Sequence, residues 1–238
     1  MTNQKIQSIL ARQLSKTLNC TPSALQGTDK KTVVLTSDDP YNFCHLVCFR
    51  NNLVVSVDEK IKDFIDTFIS DKEGYRCLEA ISPLAAELQK YNKSLGLYEA
   101  FVPDTTVNRK ITPDFDLTIY WGEDVAKLYH DKRFGMALNY TATGEKADAI
   151  AVAGYINGEI IGAAGASMDY DEMWCMGYDV VPEHRNKGVA TALGNIITDL
   201  ILEKGIVPFS TLAWSNIASK NTLINIGYKS AWTAVSDQ

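Results

Sequence analysis

The chain has 238 residues, 46% of them hydrophobic and 22% charged, a mixture typical of soluble globular proteins with one large or two modest domains. No segment approaches the roughly 20 continuous apolar residues of a membrane span. Residues 1–6 show no apolar signal core, so we expect a cytoplasmic protein without a membrane partner. The net charge of −6 argues against nucleic acid as the main partner, because phosphate backbones bind clustered basic residues.

The cysteine pattern predicts neither a disulfide framework nor a metal site. Their number is odd and no CxxC pair occurs. Two of them are four residues apart in a predicted strand, where they lie about 13 Å from each other, too far for one metal ion. We therefore expect reduced cysteines and no bound metal. The cysteines are Cys20, Cys44, Cys48, Cys77 and Cys175.

Hydrophobic periodicity predicts an α+β arrangement in the N-terminal half. Asp58 is a predicted N-cap, and residues 50–52 connect two strands of a predicted hairpin. The predicted elements are a helix over residues 3–18, strands Thr32–Thr36, Phe43–Phe49 and Leu53–Val57, a helix after Asp58, a helix from Ser82 to about Asn92, and a strand Leu97–Val102.

A polar stretch between Pro103 and Asp116 marks the predicted domain boundary. We place an N-terminal α+β domain in residues 1–112 and a second domain in residues 113–238. The hairpin followed by a helix in the first domain is compatible with an eroded copy of the second domain and with an unrelated α+β fold. Its role is open between a wall of a ligand pocket and a homodimer contact.

The second domain alternates strand and helix patterns. Asn157-Gly158 is a typical hairpin turn, and Gly205 ends an amphipathic helix. The predicted elements are a helix Glu123–Asp131, a strand Ala149–Ala153, a hairpin turn within Tyr155–Ile161, strands Gly162–Ser167 and Met173–Val181, a helix Val189–Ile201, a strand Pro208–Ala213, a helix Ser219–Ile226 and a strand Lys229–Val235.

The segment from Val180 to Ala190 predicts an anion-binding site. Pro182 ends a strand, and the backbone N–H groups at the start of the next helix have no intrahelical acceptors. Gly188 lets a ligand approach the backbone closely, while Arg185 and Lys187 add positive charge. Together these features suit a diphosphate.

This segment resembles the first signature motif of the GNAT superfamily of N-acetyltransferases, V-x-P-x-x-[RQ]-x-x-G-x-[GA]. Trp214-Ser215-Asn216-Ile217-Ala218-Ser219 resembles the second element of that superfamily, and Gly227-Tyr228 its closing pair. The likeness covers roughly residues 115–235, and the N-terminal half looks like the companion domain of a two-domain bacterial subgroup. It implies a central, mostly antiparallel sheet with a V-shaped splay and flanking helices.

The resemblance implies acetyl-CoA as cofactor and direct transfer of the acetyl group to a primary amine of a small molecule or peptide. Backbone N–H groups near Val180 and Val181 would polarise the thioester carbonyl, and an Asn after the fifth strand, here Asn216, would contact the pantetheine arm. The residues expected to bind the cofactor are Val180, Val181, Arg185, Asn186, Lys187, Gly188, Val189, Ala190, Thr191, Asn216 and Ser219.

The proton-transfer residues of the superfamily pattern are missing. Leu223 stands where many members have a Tyr that protonates the departing thiolate, and Trp174 where some have a catalytic Glu; Tyr228 or a water are substitutes for the Tyr. A carboxylate is needed because an amine attacks only when neutral, and a lysine-like amine has a pKa of about 10.4. Asp179 is the first candidate and Glu172 the second. For Asp179, a structural hydrogen-bond anchor is as good an interpretation as catalysis. For Glu172, a solvated charge in a loop is a better interpretation than catalysis.

Three functions are compatible with these features. The first is an acetyl-CoA-dependent N-acetyltransferase. The second, supported by the missing Tyr and Glu, is a catalytically silent acyl-CoA sensor or scaffold. The third, a nucleotide-binding protein of another class, is weak because Arg185–Ala190 lacks both the Gly-Lys-Ser/Thr ending of a P-loop and a three-glycine dinucleotide fingerprint.

Overall fold

The computed structural model describes residues 1–26, 30–37, 43–70, 74, 76, 78, 81–108 and 113–238. Cys77, one of the predicted reduced cysteines, lies outside them. The helices are α1 (Asn3–Thr17), α2 (Pro22–Leu25), α3 (Glu59–Ile69), α4 (Ser82–Gln89), α5 (Val189–Glu203) and α6 (Ile217–Asn225), with 3-10 turns at Gly122–Leu128 and Pro182–His184. The strands are β1 (Thr32–Thr36), β2 (Cys44–Phe49), β3 (Asn52–Val57), β4 (Leu95–Pro103), β5 (Asp116–Trp121), β6 (Asp148–Ile156), β7 (Glu159–Tyr170), β8 (Met173–Val180), β9 (Val207–Ala213) and β10 (Tyr228–Asp237).

The chain forms two compact units, and each unit is assembled from three segments. The first unit contains Met1–Ile9, Phe101–Thr211 and Asn216–Lys229, and the second contains Leu10–Ala100, Leu212–Ser215 and Ser230–Gln238. The division into domains at residues 112 and 113 stays a prediction, and residues 109–112 are outside the described part of the chain.

In the second unit, the predicted hairpin is confirmed: β2 and β3 pair antiparallel, and Arg50 at the turn has a φ of 57°. Strand β1 pairs with β3 in parallel, and β10 pairs with β2 antiparallel. Asp58 caps α3 as predicted, because its side chain accepts from Lys60 N at 2.9 Å. Fully buried residues of β2, β3 and α3, including Leu46, Val55 and Ile65, form the core of this unit.

In the first unit, four strands form an antiparallel sheet in the order β5, β6, β7, β8. Asn157 and Gly158 have φ angles of 51° and 81°, as a two-residue hairpin turn with a left-handed backbone requires. Residues 149–153 of β6 are all buried, and α5 packs against β6, β7 and β8. This core holds β8 and the start of α5 in place, which positions the site described below.

Two predicted elements differ from the structure. The helix predicted over Glu123–Asp131 is a 3-10 turn over Gly122–Leu128, and β5 before it was not predicted. β5 pairs with one neighbour, β6, and three of its six residues are exposed. An exposed strand lacks the apolar alternation that reveals a half-buried one.

β8 and β9 separate after a short paired stretch. They pair in parallel at Met173, Trp174 and Cys175, and the register ends there. Ser210 on β9 donates its hydroxyl to Met176 O at 2.6 Å, so a side chain takes over where the ladder stops. This is the predicted V-shaped splay, and the α+β class with a mostly antiparallel sheet and flanking helices is confirmed.

Among the described helices, none has the length and apolar character needed to cross a membrane.

Candidate acetyl-CoA and active site

The first unit contains a cleft of about 550 Å³ at the open end of the splay. That volume lies within the usual range for small-molecule sites. The walls are the end of β8, the turn that follows it, the start of α5 and one face of α6. The lining residues are Tyr178, Asp179, Val180, His184, Arg185, Asn186, Gly188, Val189, Ala190, Thr191, Ala218, Ser219, Thr222 and Asn225.

The turn before α5 has the backbone of an anion site. Asn186 and Gly188 have left-handed φ angles of 58° and 80°, and Gly188 caps α5 without a side-chain hydrogen bond. The hydrogen bond from Ala192 N to Gly188 O, at 2.9 Å, is the first i to i−4 bond of α5. The N–H groups of residues 189–191 come before it and have no acceptor within the helix. No atom lies within 4 Å of where a Cβ would stand at Gly188. The left-handed backbone, rather than crowding within the protein, is therefore what favours glycine there.

The two predicted basic residues play different parts. Arg185 lines the cleft, and its Nε donates to Val180 O at 3.0 Å, which fixes the guanidinium beside the end of β8. Lys187 is exposed on the same turn and is not one of the described residues that line the cleft. Arg185 is thus held in place, while Lys187 contributes charge at a distance.

The open edge of β8 presents a different amide from the one predicted. Val181 N donates to Ile161 O on β7 at 3.0 Å, so it is occupied and does not reach a ligand. N–H groups alternate in direction along a strand, so those of Tyr178 and Val180 point away from β7. Arg185 binds Val180 O on that same side. The amides that face the splay are those of Val180, as predicted, and of Tyr178 in place of Val181.

Asp179 lines the cleft and also anchors a neighbouring segment. Its Oδ2 accepts from Met136 N at 2.7 Å and from Ala137 N at 3.0 Å. Its Oδ1 accepts no hydrogen bond from the described residues. Asp179 is therefore a structural hydrogen-bond anchor through Oδ2, while no described hydrogen bond involves Oδ1.

The segment Met136–Ala137 lies directly on two glycines of the sheet. Gly165 on β7 pairs with Gly177 on β8, and a Cβ at these positions would lie 2.0 Å from Ala137 O and 1.8 Å from Met136 O, respectively. Only residues without a side chain permit such a close approach of two backbones. The side chain of Met136 is 76% exposed beside this contact.

The structure does not support a catalytic role for Glu172. This residue precedes β8, eight positions before Val180, and a strand of that length separates them by about 26 Å. A group at that distance does not reach a substrate bound at the other end of the strand. The fold favours the other interpretation, that Glu172 is a charged residue of the turn between β7 and β8.

The segment Trp214–Ser219, which resembles the second element of the superfamily, contains the start of α6. Asn216 caps α6, and its Oδ1 accepts from Ser219 N at 3.1 Å. Its side-chain oxygen therefore caps the helix, and α6 contributes Ala218, Ser219, Thr222 and Asn225 to the described cleft wall. Of the predicted binding residues, Val180, Arg185, Asn186, Gly188, Val189, Ala190, Thr191 and Ser219 line the cleft.

Tyr178 is a functional candidate that sequence reasoning missed. It is partly buried on the open half of β8, and its hydroxyl donates to Ser219 O at 3.0 Å. Burial raises the pKa of Tyr178, and hydrogen bonds from the side chains of Ser219 and Thr222 oppose that shift. The only signal in the sequence was its position two residues before Val180, on the same side of the strand.

The other candidate residues for proton transfer or nucleophilic attack have buried or partly buried side chains that pack in the protein interior. The hydroxyl of Tyr228, a predicted substitute for the missing Tyr, lies 2.9 Å from Thr198 Oγ1 in a buried cluster. Leu223 is fully buried. Burial raises the pKa of Cys175 to about 12, so this thiol is not a ready nucleophile. Across the described residues, no cluster of His, Cys, Asp and Glu has a metal-binding arrangement.

The first unit thus combines a splayed mixed sheet with a left-handed turn and a helix start at the mouth of the splay. Residues 96–223, more than half of the chain, match the acetyltransferase (GNAT) family. The chain belongs to that family, and the predicted resemblance is confirmed.

Several solved structures with low sequence identity to this chain are named as acetyltransferases. A GCN5-related N-acetyltransferase-like protein of Streptococcus suis is 14% identical with a TM-score of 0.47, covering 79% of this chain and 72% of that one. A GCN5-related N-acetyltransferase of Kribbella flavida is 17% identical with a TM-score of 0.44, covering 65% and 63%. A GNAT-family acetyltransferase of Colwellia psychrerythraea is 12% identical with a TM-score of 0.45, covering 65% and 61%. The chain thus spans less than two thirds of the latter two proteins. No curated protein matches the sequence.

Proposed function

We propose that the protein is an acetyl-CoA-dependent N-acetyltransferase that transfers an acetyl group directly to a primary amine. The observation that carries the proposal is the convergence of three sets of backbone N–H groups on one cleft. They come from the turn at Asn186–Gly188, from the first residues of α5, and from the open edge of β8. A long ligand with a diphosphate at one end and polar amides along its arm fits that distribution.

The residues present fit acetyl-CoA as follows. The N–H groups around Gly188 and Ala190 would hold the diphosphate, and the guanidinium of Arg185 lies beside them. The amides of Val180 and Tyr178 would bind the arm and the acyl end in the splay, where β9 has left the edge of β8 unpaired. When bound, acetyl-CoA supplies an acetyl group activated as a thioester.

The acceptor amine requires a group that takes its proton. A protonated amine has no free electron pair, and in water its pKa is about 10.4. Asp179 Oδ1 is our candidate for the base, because Oδ2 of the same carboxylate is held by two backbone amides. The net charge of −6 favours approach of a cationic acceptor, as a polyamine, an aminoglycoside or a lysine side chain would be.

Acetyl-CoA binding is tested by thermal unfolding with a matched pair of glycine variants. Gly188 and Gly205 flank α5, both have a φ of 80°, and neither has an atom within 4 Å of its Cβ position. Ala at either site costs about 1–2 kcal/mol through the left-handed backbone. Acetyl-CoA at 100 times its Kd should raise the Tm of the wild type and of Gly205→Ala by about 5–10 °C.

Only Gly188→Ala should lose most of that rise, because its methyl group projects into the anion site. If acetyl-CoA at millimolar concentration moves the Tm of no variant, the assignment of the cleft is wrong. If Gly188→Ala and Gly205→Ala respond alike, the ligand binds elsewhere.

The alternative, an acyl-CoA sensor or scaffold without turnover, is favoured by one observation, the buried Leu223 in place of the family Tyr. The two functions differ in the release of CoA thiol with a panel of amines. Thiol release above the hydrolytic background with one acceptor class supports the enzyme. Binding with no release across polyamines, aminoglycosides, amino acids and lysine peptides supports the sensor. The cytoplasmic location and a homodimer stay predictions.

A further inference from the structure

Protonation of the departing thiolate lacks its expected residue in this chain. Leu223, at the position of the family Tyr, has no proton to donate and is fully buried. Tyr228 is tied into the buried cluster with Thr198 and Met176. Among the lining residues of the cleft, all of them in the described part of the chain, Tyr178 carries the only phenol.

The hydroxyl of Tyr178 reaches the same face of α6 from the opposite side of the cleft. It lies 3.0 Å from Ser219 O, and Ser219 is one helical turn before Leu223. Residues four apart share one face of a helix. A side chain from β8 thus brings a hydroxyl to the helix face that holds Leu223.

Tyr178 lies on the strand edge that we propose binds the acyl end of the cofactor. Its N–H points into the splay, on the open edge that begins after Cys175 and continues to Val180. The hydroxyl hydrogen turns freely about its bond, so it can leave Ser219 O for another acceptor without a movement of the ring.

We propose that Tyr178 is a catalytic residue, whose hydroxyl donates its proton to the sulfur released from the acyl-CoA; this inference rests on the proposed function. In the step, the amine nitrogen forms a bond to the acetyl carbon and the carbon–sulfur bond breaks. The electron pair of that bond goes to sulfur, which takes the proton of the phenol. The proton lost by the amine returns through Asp179 or water to the phenolate, so the residue is regenerated.

The surroundings keep Tyr178 in the form that this role needs. Burial raises its pKa, so the phenol holds its proton at neutral pH. An acid acts only while protonated, so its contribution persists through neutral pH and is lost as the pH rises above this raised pKa. Hydrogen bonds from the side chains of Ser219 and Thr222 lower the pKa and thus favour the transient phenolate, whereas the bond to the carbonyl oxygen Ser219 O favours the protonated phenol.

The contact with sulfur is tested by titration calorimetry with CoA and with desulfo-CoA, in which hydrogen replaces the thiol. At a pH where the thiol is partly ionised, the wild type should bind CoA about tenfold more tightly than desulfo-CoA, because a hydrogen bond to a charged acceptor is strong. Tyr178→Phe should bind both equally and should keep the wild-type affinity for desulfo-CoA within about twofold.

Tyr228→Phe is the matched control, since it removes a hydroxyl from the buried cluster beside α5 and should keep the tenfold preference. The inference is overturned if Tyr178→Phe keeps the preference of the wild type, or if it weakens both ligands equally, as a packing residue would. Wild-type protein that binds neither compound would overturn the proposed function itself.

A kinetic readout separates proton donation from positioning. With an acceptor from the amine panel, Tyr178→Phe should lower kcat by about 100-fold at nearly constant KM, at the lower end for acid catalysis because a thiolate leaves readily. Wild-type activity should decline at high pH as the phenol ionises, and the variant should lack that decline. A variant with the wild-type pH profile would contradict the assignment.

Discussion

The two ends of β8 belong to one strand and differ in their neighbours. Met173 and Cys175 pair with β7 on one edge and with β9 on the other, and Met173 is fully buried. Residues Tyr178–Val180 pair with β7 alone. The end paired on both edges stabilises the sheet, while the end paired on one edge has N–H groups that can donate hydrogen bonds to a ligand. A site is created here by ending one ladder early, without any unusual side chain.

The transition between the two ends is held by specific contacts. Ser210 Oγ satisfies Met176 O where β9 departs, and Tyr178 spans from β8 to Ser219 on α6. On the other face of the same strand, Gly177 receives the backbone of Met136. Each contact gives a way to test how far the open end depends on its support.

The largest effect is expected from Gly177→Ala. Its Cβ would lie 1.8 Å from Met136 O, and backbone on both sides leaves no flexible side chain to yield. We expect the free energy of unfolding to fall by about 3–5 kcal/mol, measured by urea denaturation. Gly135→Ala, in the same segment with no atom within 4 Å of the new methyl group, should stay within about 0.5 kcal/mol of the wild type.

Equal stabilities of Gly177→Ala and Gly135→Ala would show that the Met136–Ala137 segment does not rest on the open end of β8.

A smaller effect is expected at Asp179, where two variants separate anchoring from proton transfer. Asp179→Ala removes the acceptor of Met136 N and Ala137 N and should cost about 1–3 kcal/mol. Asp179→Asn keeps an oxygen acceptor and should cost less than about 1 kcal/mol, yet lower kcat by about 100-fold, because an amide does not take a proton. Chemical denaturation and steady-state kinetics with the same acceptor measure the two effects.

Full activity in Asp179→Asn would leave this residue as an anchor and remove it from proton transfer.

The smallest effect is expected from Ser210→Ala, at the point where the two ends meet. The variant loses the 2.6 Å hydrogen bond to Met176 O in a buried place, which should cost about 1 kcal/mol. The rise in Tm caused by acetyl-CoA should match that of the wild type, since the contact lies at the apex and leaves the open edge unchanged. A lost ligand response would mean that Ser210 sets the width of the splay.

Local signals in the sequence predicted much of the site. The αL turn at Asn157-Gly158, the end of β8 at Pro182 and the apolar stripe of α5 depend on neighbouring residues, so they are readable without a fold. The exposed strand β5 was missed because its residues have no buried face to reveal them. Glu172 was named because it lies near Trp174, the position of a catalytic Glu in some family members, and the length of the extended strand argues against that role.

The sequence by itself determined the family, the turn at Arg185–Gly188 and most residues of the cleft wall. Only the tertiary structure decided which amides face the splay, because strand pairing with Ile161 occupies Val181 and leaves Val180 and Tyr178. It also decided the partners of Asp179 and Tyr178, which lie about 40 residues away in the chain. Turn and helix signals act over a few residues, whereas the direction of an N–H and the reach of a side chain depend on which strand or helix packs beside it.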